Sequence, residues 1–112
     1  MPSLIIHAPE HQLGREDTKS FSDTFNTRIG KAYALNSKIH SQISLGCRVV
    51  LLCKDKKLRA EGELDKLILA KTKDDKPWVT KNHIKRYDVH VKNFKMVSYR
   101  PEALNRNGVA II

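Results

Sequence analysis

Cysteine is scarce in this chain, with two residues in 112, Cys47 and Cys53. No CxxC pair occurs, so the sequence offers no cysteine-based zinc site. The two thiols stand six positions apart in what reads as one extended strand. At ~3.3 Å per residue they are about 20 Å apart, beyond disulfide reach. Buried free thiols in a reducing compartment follow. Long apolar runs are also missing. Nothing approaches the roughly 20 residues a membrane-spanning helix needs. The opening MPSLIIHAPEH has no basic stretch before its short apolar run, so it does not read as a signal peptide. The expectation is a cytoplasmic protein with no membrane partner.

Signatures of catalysis are equally sparse. The sequence has no GxSxG, no GxxxxGK(S/T) phosphate loop and no HExxH. Glu61 and Glu63 share the solvent side of a strand, where lysines are the expected partners. Neither cysteine reads as an exposed nucleophile beside a base. His7 and His11 have helical metal spacing, but Pro9 lies between them and the stretch reads as strand then loop. His90 falls on the polar, exposed side of its strand. No catalytic residue, metal site or cofactor is therefore assigned.

Acid is in short supply too: 12 Asp and Glu against 21 Lys and Arg, a net charge of +9. That surplus favours a polyanionic partner, nucleic acid first. The plainer alternative is a basic protein with no such partner. Hydrophobic residues at 40% and charged residues at 29% fit a globular chain. The length suits a single domain, residues 1–112.

What is present is chiefly β. From Leu45 to Asp65 the sequence reads as a buried strand, a three-residue turn of Asp55, Lys56 and Lys57, and a second strand. Val49 to Cys53 is apolar throughout, as in a strand covered on both faces. Leu58, Ala60, Gly62 and Leu64 then alternate with Arg59, Glu61, Glu63 and Asp65, one dry face and one wet. Gly62 marks a bulge or a close backbone approach. Ser3 to Ala8 reads as a first strand and His11 to Lys19 as a loop. A helix starts near Ser20, with Asp23 completing a capping pattern. Phe21, Phe25 and Ile29 form its stripe and Gly30 its stop. Asn36 caps a second helix, Ser37 to Ile43. Lys66 to Ala70 extends the second hairpin strand. Lys71 to Pro77 is a charged loop, and Trp78 to Thr80 a short strand. Tyr87, Val89 and Val91 alternate in another strand, Asn93 marks a turn or bulge, and Phe94 to Tyr99 is a further strand. Gly108 to Ile112 comes last. The expected class is α+β, mainly β: about six strands with two short helices near the N-terminus, forming a small closed or nearly closed barrel.

This order of elements resembles the PUA-like superfamily, including its EVE and ASCH branches. Gly46-Cys47-Arg48-Val49-Val50-Leu51-Leu52 followed by Ala60-Glu61-Gly62-Glu63-Leu64 is similar to that superfamily's paired strands. Arg86-Tyr87-Asp88-Val89 resembles a later one. The resemblance implies a pseudobarrel that binds RNA or DNA, sometimes holding a modified or flipped base beside the helices. Gly30 and Lys31 are adjacent but lack the acid and arginine that mark the ASCH branch. EVE is the nearer match.

Four clusters are candidate sites. Arg28, Lys31, Tyr33, Asn36 and Lys38 join the two helices, and can supply phosphate-binding cations, a stacking ring and an amide. Equally, they form an ordinary exposed connection. Trp78 with Lys81, His83, Lys85 and Arg86 is either a stacking platform among cations or a barrel plug. Trp78, Tyr33 and Tyr87 are the rings nominated to face a base. Lys54, Lys56, Lys57 and Arg59 are either cations gathered for an anionic partner or, the preferred reading, a solvated hairpin tip. Arg100, Asn105, Arg106 and Asn107 can read phosphate or base edges, but turn chemistry is the preferred reading. The leading expectation is a non-catalytic nucleic-acid-binding module using Arg28, Lys31, Tyr33, Asn36, Lys38, Trp78, Lys85 and Arg86. A modified-nucleoside hydrolase with Lys31 as activated amine, or a protein-interaction accessory domain, are the alternatives.

Overall fold

The computed structural model describes residues 2–9, 20–104 and 108–112. His11, the rest of the His11–Lys19 loop, and Asn105, Arg106 and Asn107 lie outside the described residues. The elements run β1 (Leu4–His7), α1 (Phe21–Thr27), β2 (Ile29–Ala34), α2 (Ser37–Gln42), β3 (Arg48–Cys53), β4 (Leu58–Leu69), β5 (Arg86–Val97) and β6 (Val109–Ile111). The fold is α+β and mainly β. Its strands form one curled sheet in the order β2-β5-β4-β3-β1-β6. The sheet makes half a barrel and does not close, because β2 and β6 are its edges. No described helix is long and apolar enough to cross a membrane.

The core follows the apolar runs. Leu4, Ile6, Val49, Leu51, Ala60, Leu64, Val89 and Val91 point to one face, where Phe21, Leu35 and Ile39 cover them. Alternate residues Ile5, Val50 and Leu52 point to the other, against Tyr99, Leu104 and Ala110. This is why β3 is apolar at every position from Val49 to Cys53. Both cysteines are buried and free.

Several expectations need correction. The hairpin loop has four residues, Lys54 to Lys57. Helix α1 is capped as expected, with Ser20 Oγ accepting from the Asp23 N–H at 3.1 Å. It ends earlier, however, at Arg28, which takes a left-handed conformation (φ 63°). Ile29 and Gly30 then begin β2, a strand where the sequence suggests a connection between helices. Gly30 is required there for room: a Cβ would come within 2.9 Å of both Ile6 Cδ1 and the Tyr33 ring. Phe94 to Tyr99 is not a separate strand, because β5 runs through Asn93 in one piece to Val97. Asn93 sits at φ 58° and its amide donates to Glu63 Oε2 at 3.0 Å. Gly62 lies between shifted registers, with Glu61 opposite Lys95 and Glu63 opposite Lys92. That shift is the bulge its sequence position suggested.

Arg59 is the largest departure. Expected on the wet face, it is 1% exposed. Its Nε donates to Glu61 Oε2 (3.0 Å), and its Nη1 to Glu102 Oε1 (3.0 Å) and the Arg100 carbonyl (2.8 Å). The chain after β5 crosses this face and covers it. Glu61 therefore pairs with Arg59 and Arg48, not with lysine.

Candidate functional site

The candidate site is built where β4 hands over to β5. Between them the chain makes two small loops. Lys71 bridges to Pro77 around a turn in which Asp75 is at φ 61°, and Val79 bridges to Lys85 around one in which His83 is at φ 62°. Trp78 does not begin a regular strand. It sits at the junction, where three backbone bonds close a ring: Trp78 N–H to Ala70 carbonyl, Arg86 N–H to Trp78 carbonyl, Ala70 N–H to Arg86 carbonyl, each 2.9 Å. Lys71 to Lys85 holds five lysines against Asp74 and Asp75.

Beside the second loop lies a cleft of about 520 Å³. Leu35 and Ile84 are its apolar walls. Tyr87 of β5 and His40 of α2 supply its rings, with centroids 5.1 Å apart and planes tilted by 37°. Asn36, Ser37, His83 and Lys85 form its polar rim. Asn36 caps α2 by accepting from the Ile39 N–H at 2.9 Å, which turns Ser37 and His40 onto the cleft. The lining contains no carboxylate. Lys85 is exposed and forms no ion pair among the described residues. The volume falls within the ~300–1,000 Å³ typical of small-ligand sites.

Side chains alternate along β5, so Arg86 and Asp88 project from the sheet face opposite Tyr87. Arg86 stands 5.6 Å over the Trp78 ring, and its Nη1 donates to the Ala32 carbonyl at 2.8 Å. Lys31 is held by Asp88 Oδ2 at 2.9 Å, while Asp88 Oδ1 accepts from the Ala32 N–H at 3.0 Å. Here β2 carries one extra residue between Gly30 and Tyr33, and the Asp88 carboxylate fills the bulge.

No family model, curated protein or solved structure matches this chain.

The eight nominated residues thus divide. Asn36 and Lys85 meet in the cleft. Lys31, Trp78 and Arg86 gather at the opposite face and its junction. Arg28 caps α1, and its carbonyl accepts from the Val91 N–H at 2.8 Å. Lys38 is exposed on α2. Tyr33 packs against the core and its hydroxyl donates to the His7 carbonyl at 2.7 Å; burial holds its pKa far above the ordinary range. Its hydroxyl and ring are both engaged within the fold. The cations are not gathered on one side. Lys54, Lys56 and Lys57 are exposed before the start of the 12-residue β4, whereas the Lys71–Lys85 loops follow its end. Arg59 belongs to neither group. His40 is a cleft residue outside the nominated set, although an Asn36 cap puts it one helical turn on, along the same face.

Proposed function

We propose that this chain is a non-catalytic nucleic-acid-binding module of PUA-like type. An exposed base stacks in the Tyr87–His40 cleft, and the lysine-rich loops beside it hold the flanking phosphates. One observation carries the reading: an aromatic, carboxylate-free cleft is lined by Lys85, at the end of a 15-residue stretch that holds five lysines. Ring stacking combined with cations that track a backbone is how single-stranded RNA and DNA are gripped without sequence preference. A base inside a duplex cannot enter such a cleft unless it leaves the stack, so single strands are the preferred substrate.

The half-barrel sheet is consistent with the small-barrel part of the reading; the PUA-like assignment rests on the resemblance in sequence. The hydrolase alternative finds no favouring observation, since Lys31 pairs with Asp88 on the sheet face away from the cleft. The test is a chemical-shift map with short single- and double-stranded oligonucleotides. Shifts centred on Tyr87, His40 and Lys85, larger with single strands, support the proposal. Shifts confined to the Lys54–Lys57 tip, or none with any oligonucleotide, overturn it and favour a protein-interaction domain.

A further inference from the structure

We infer that the cleft takes a nucleoside monophosphate unit, gripping the phosphate as well as the base, and discriminates against the bare nucleoside. This names the ligand of the same cleft, and rests on the nucleic-acid reading for its choice of base-bearing ligands.

The chemistry of the rim carries the inference. Asn36 commits one lone pair of its side-chain carbonyl to the Ile39 N–H. Its remaining amide group can only donate. Lys85 adds three donors and a full positive charge that nothing in the described structure neutralises. Ser37 adds a hydroxyl. No carboxylate lines the cleft, so a cationic ligand would find no counter-charge. A donor-rich, positively charged rim selects a ligand that brings acceptors and negative charge. A phosphate supplies both, and charge-assisted bonds to it are the strongest polar contacts such a rim can make.

Two of the other nominated cations cannot take over this role. Lys31 and Arg86 are on the far face of the sheet, each already engaged. Lys85 is the lysine that lines the cleft, with His83 beside it on the same turn, so the phosphate contact is assigned to it. Tyr87 and His40 offer ring surface for the base, and Leu35 and Ile84 add apolar wall. A nucleoside would fill the apolar part but leave Lys85 unused.

The experiment is a shift titration of the full chain with the four 5′-mononucleotides and the matching nucleosides. Mononucleotides are expected to perturb Tyr87, His40 and His83, and to bind roughly tenfold or more tighter than nucleosides. Lys85→Ala should bring the two to near parity; Lys85 is exposed, so the variant keeps the fold. His83→Asn, which tolerates the left-handed backbone at this position, should narrow the gap partly. Equal binding of nucleoside and mononucleotide overturns the inference. So does an oligonucleotide that binds while no mononucleotide perturbs the cleft, a result that leaves the nucleic-acid reading standing. Mononucleotides that bind in the cleft while oligonucleotides do not would uphold the inference and sink that reading.

Discussion

The imidazole of His40 lies with its centroid 5.1 Å from that of the Tyr87 ring, so a six-residue helix and a twelve-residue strand jointly supply a ring pair that lines the described cleft. The two residues differ in burial. His40 is exposed, whereas Tyr87 also packs against the core. Their substitution should separate binding from stability. His40→Ala is expected to leave stability within about 0.5 kcal/mol, as surface changes do. Tyr87→Leu keeps an apolar contact and loses the stacking face. Each should weaken oligonucleotide binding, by about 1–3 kcal/mol for the loss of a base stack. Fluorescence anisotropy and urea denaturation of the same variants check both halves.

Arg59 gives the sharpest stability prediction. Its buried guanidinium joins β4 to the chain that follows β5, through Glu102 and the Arg100 carbonyl. Arg59→Leu leaves Glu61 with Arg48 and Glu102 with Arg100, so both acids keep one partner. A loss at the low end for breaking a buried pair, about 3 kcal/mol, is expected. A urea midpoint unchanged from the parent chain would show that the network is dispensable.

Acid should destabilise the fold in two stages. Burial pushes His7 and His90 below their ordinary 6.5, aided by Lys54 at His7 and Lys66 at His90 and opposed by nearby aspartates. His7 Nε2 also accepts from the Lys54 N–H at 3.3 Å, a bond lost on protonation. The unfolded chain therefore takes up these protons first, and stability declines as pH falls below about 6.5. A second decline follows at the glutamates. At Glu61, burial pushes upward but the Arg59 hydrogen bond and the charges of Arg48 and Arg59 outweigh it. At Glu102, the Arg59 hydrogen bond dominates. Both carboxyls sit below the ordinary 4.5, so their stabilisation is full above that value and disappears as pH drops through the folded-state values. Unfolding free energy measured from pH 8 to 2 should show both declines. Glu61→Gln should shrink the second only.

Gly62 tests the bulge. A Cβ there would meet Val91 Cγ1 at 2.7 Å and the Lys92 carbonyl oxygen at 2.8 Å. Backbone cannot move aside as a flexible side chain can, so Gly62→Ala should cost about 1–3 kcal/mol. Thermal denaturation gives the answer directly.

The legible parts of the fold were those where one signal decides. The Ser20 and Asn36 caps, the apolar β3 and the alternation of β4 each led to the observed element. β2 escaped because its pattern is inverted. Gly30, Ala32 and Ala34 are the buried positions, while the bulkier Lys31 and Tyr33 alternate with them. Small residues facing inward give no hydrophobic period. Arg59 escaped for another reason. Alternation states which residues share a face, not what covers that face, and the cover comes from residues about 40 positions later. The site divided for the same kind of reason. Lys85 and Arg86 are adjacent in sequence, yet one lines the cleft and the other leans on Trp78.

The most direct test is the affinity of a fluorescent single-stranded oligonucleotide, measured by anisotropy across a series of salt concentrations, for the parent chain and for Lys85→Ala. The parent should lose affinity steeply, with log K falling against log salt by about 0.7 per phosphate neutralised. Lys85→Ala should show a shallower slope, by about one phosphate's worth. Affinity that stays level from low to high salt, or a slope that Lys85→Ala leaves untouched, would contradict the account.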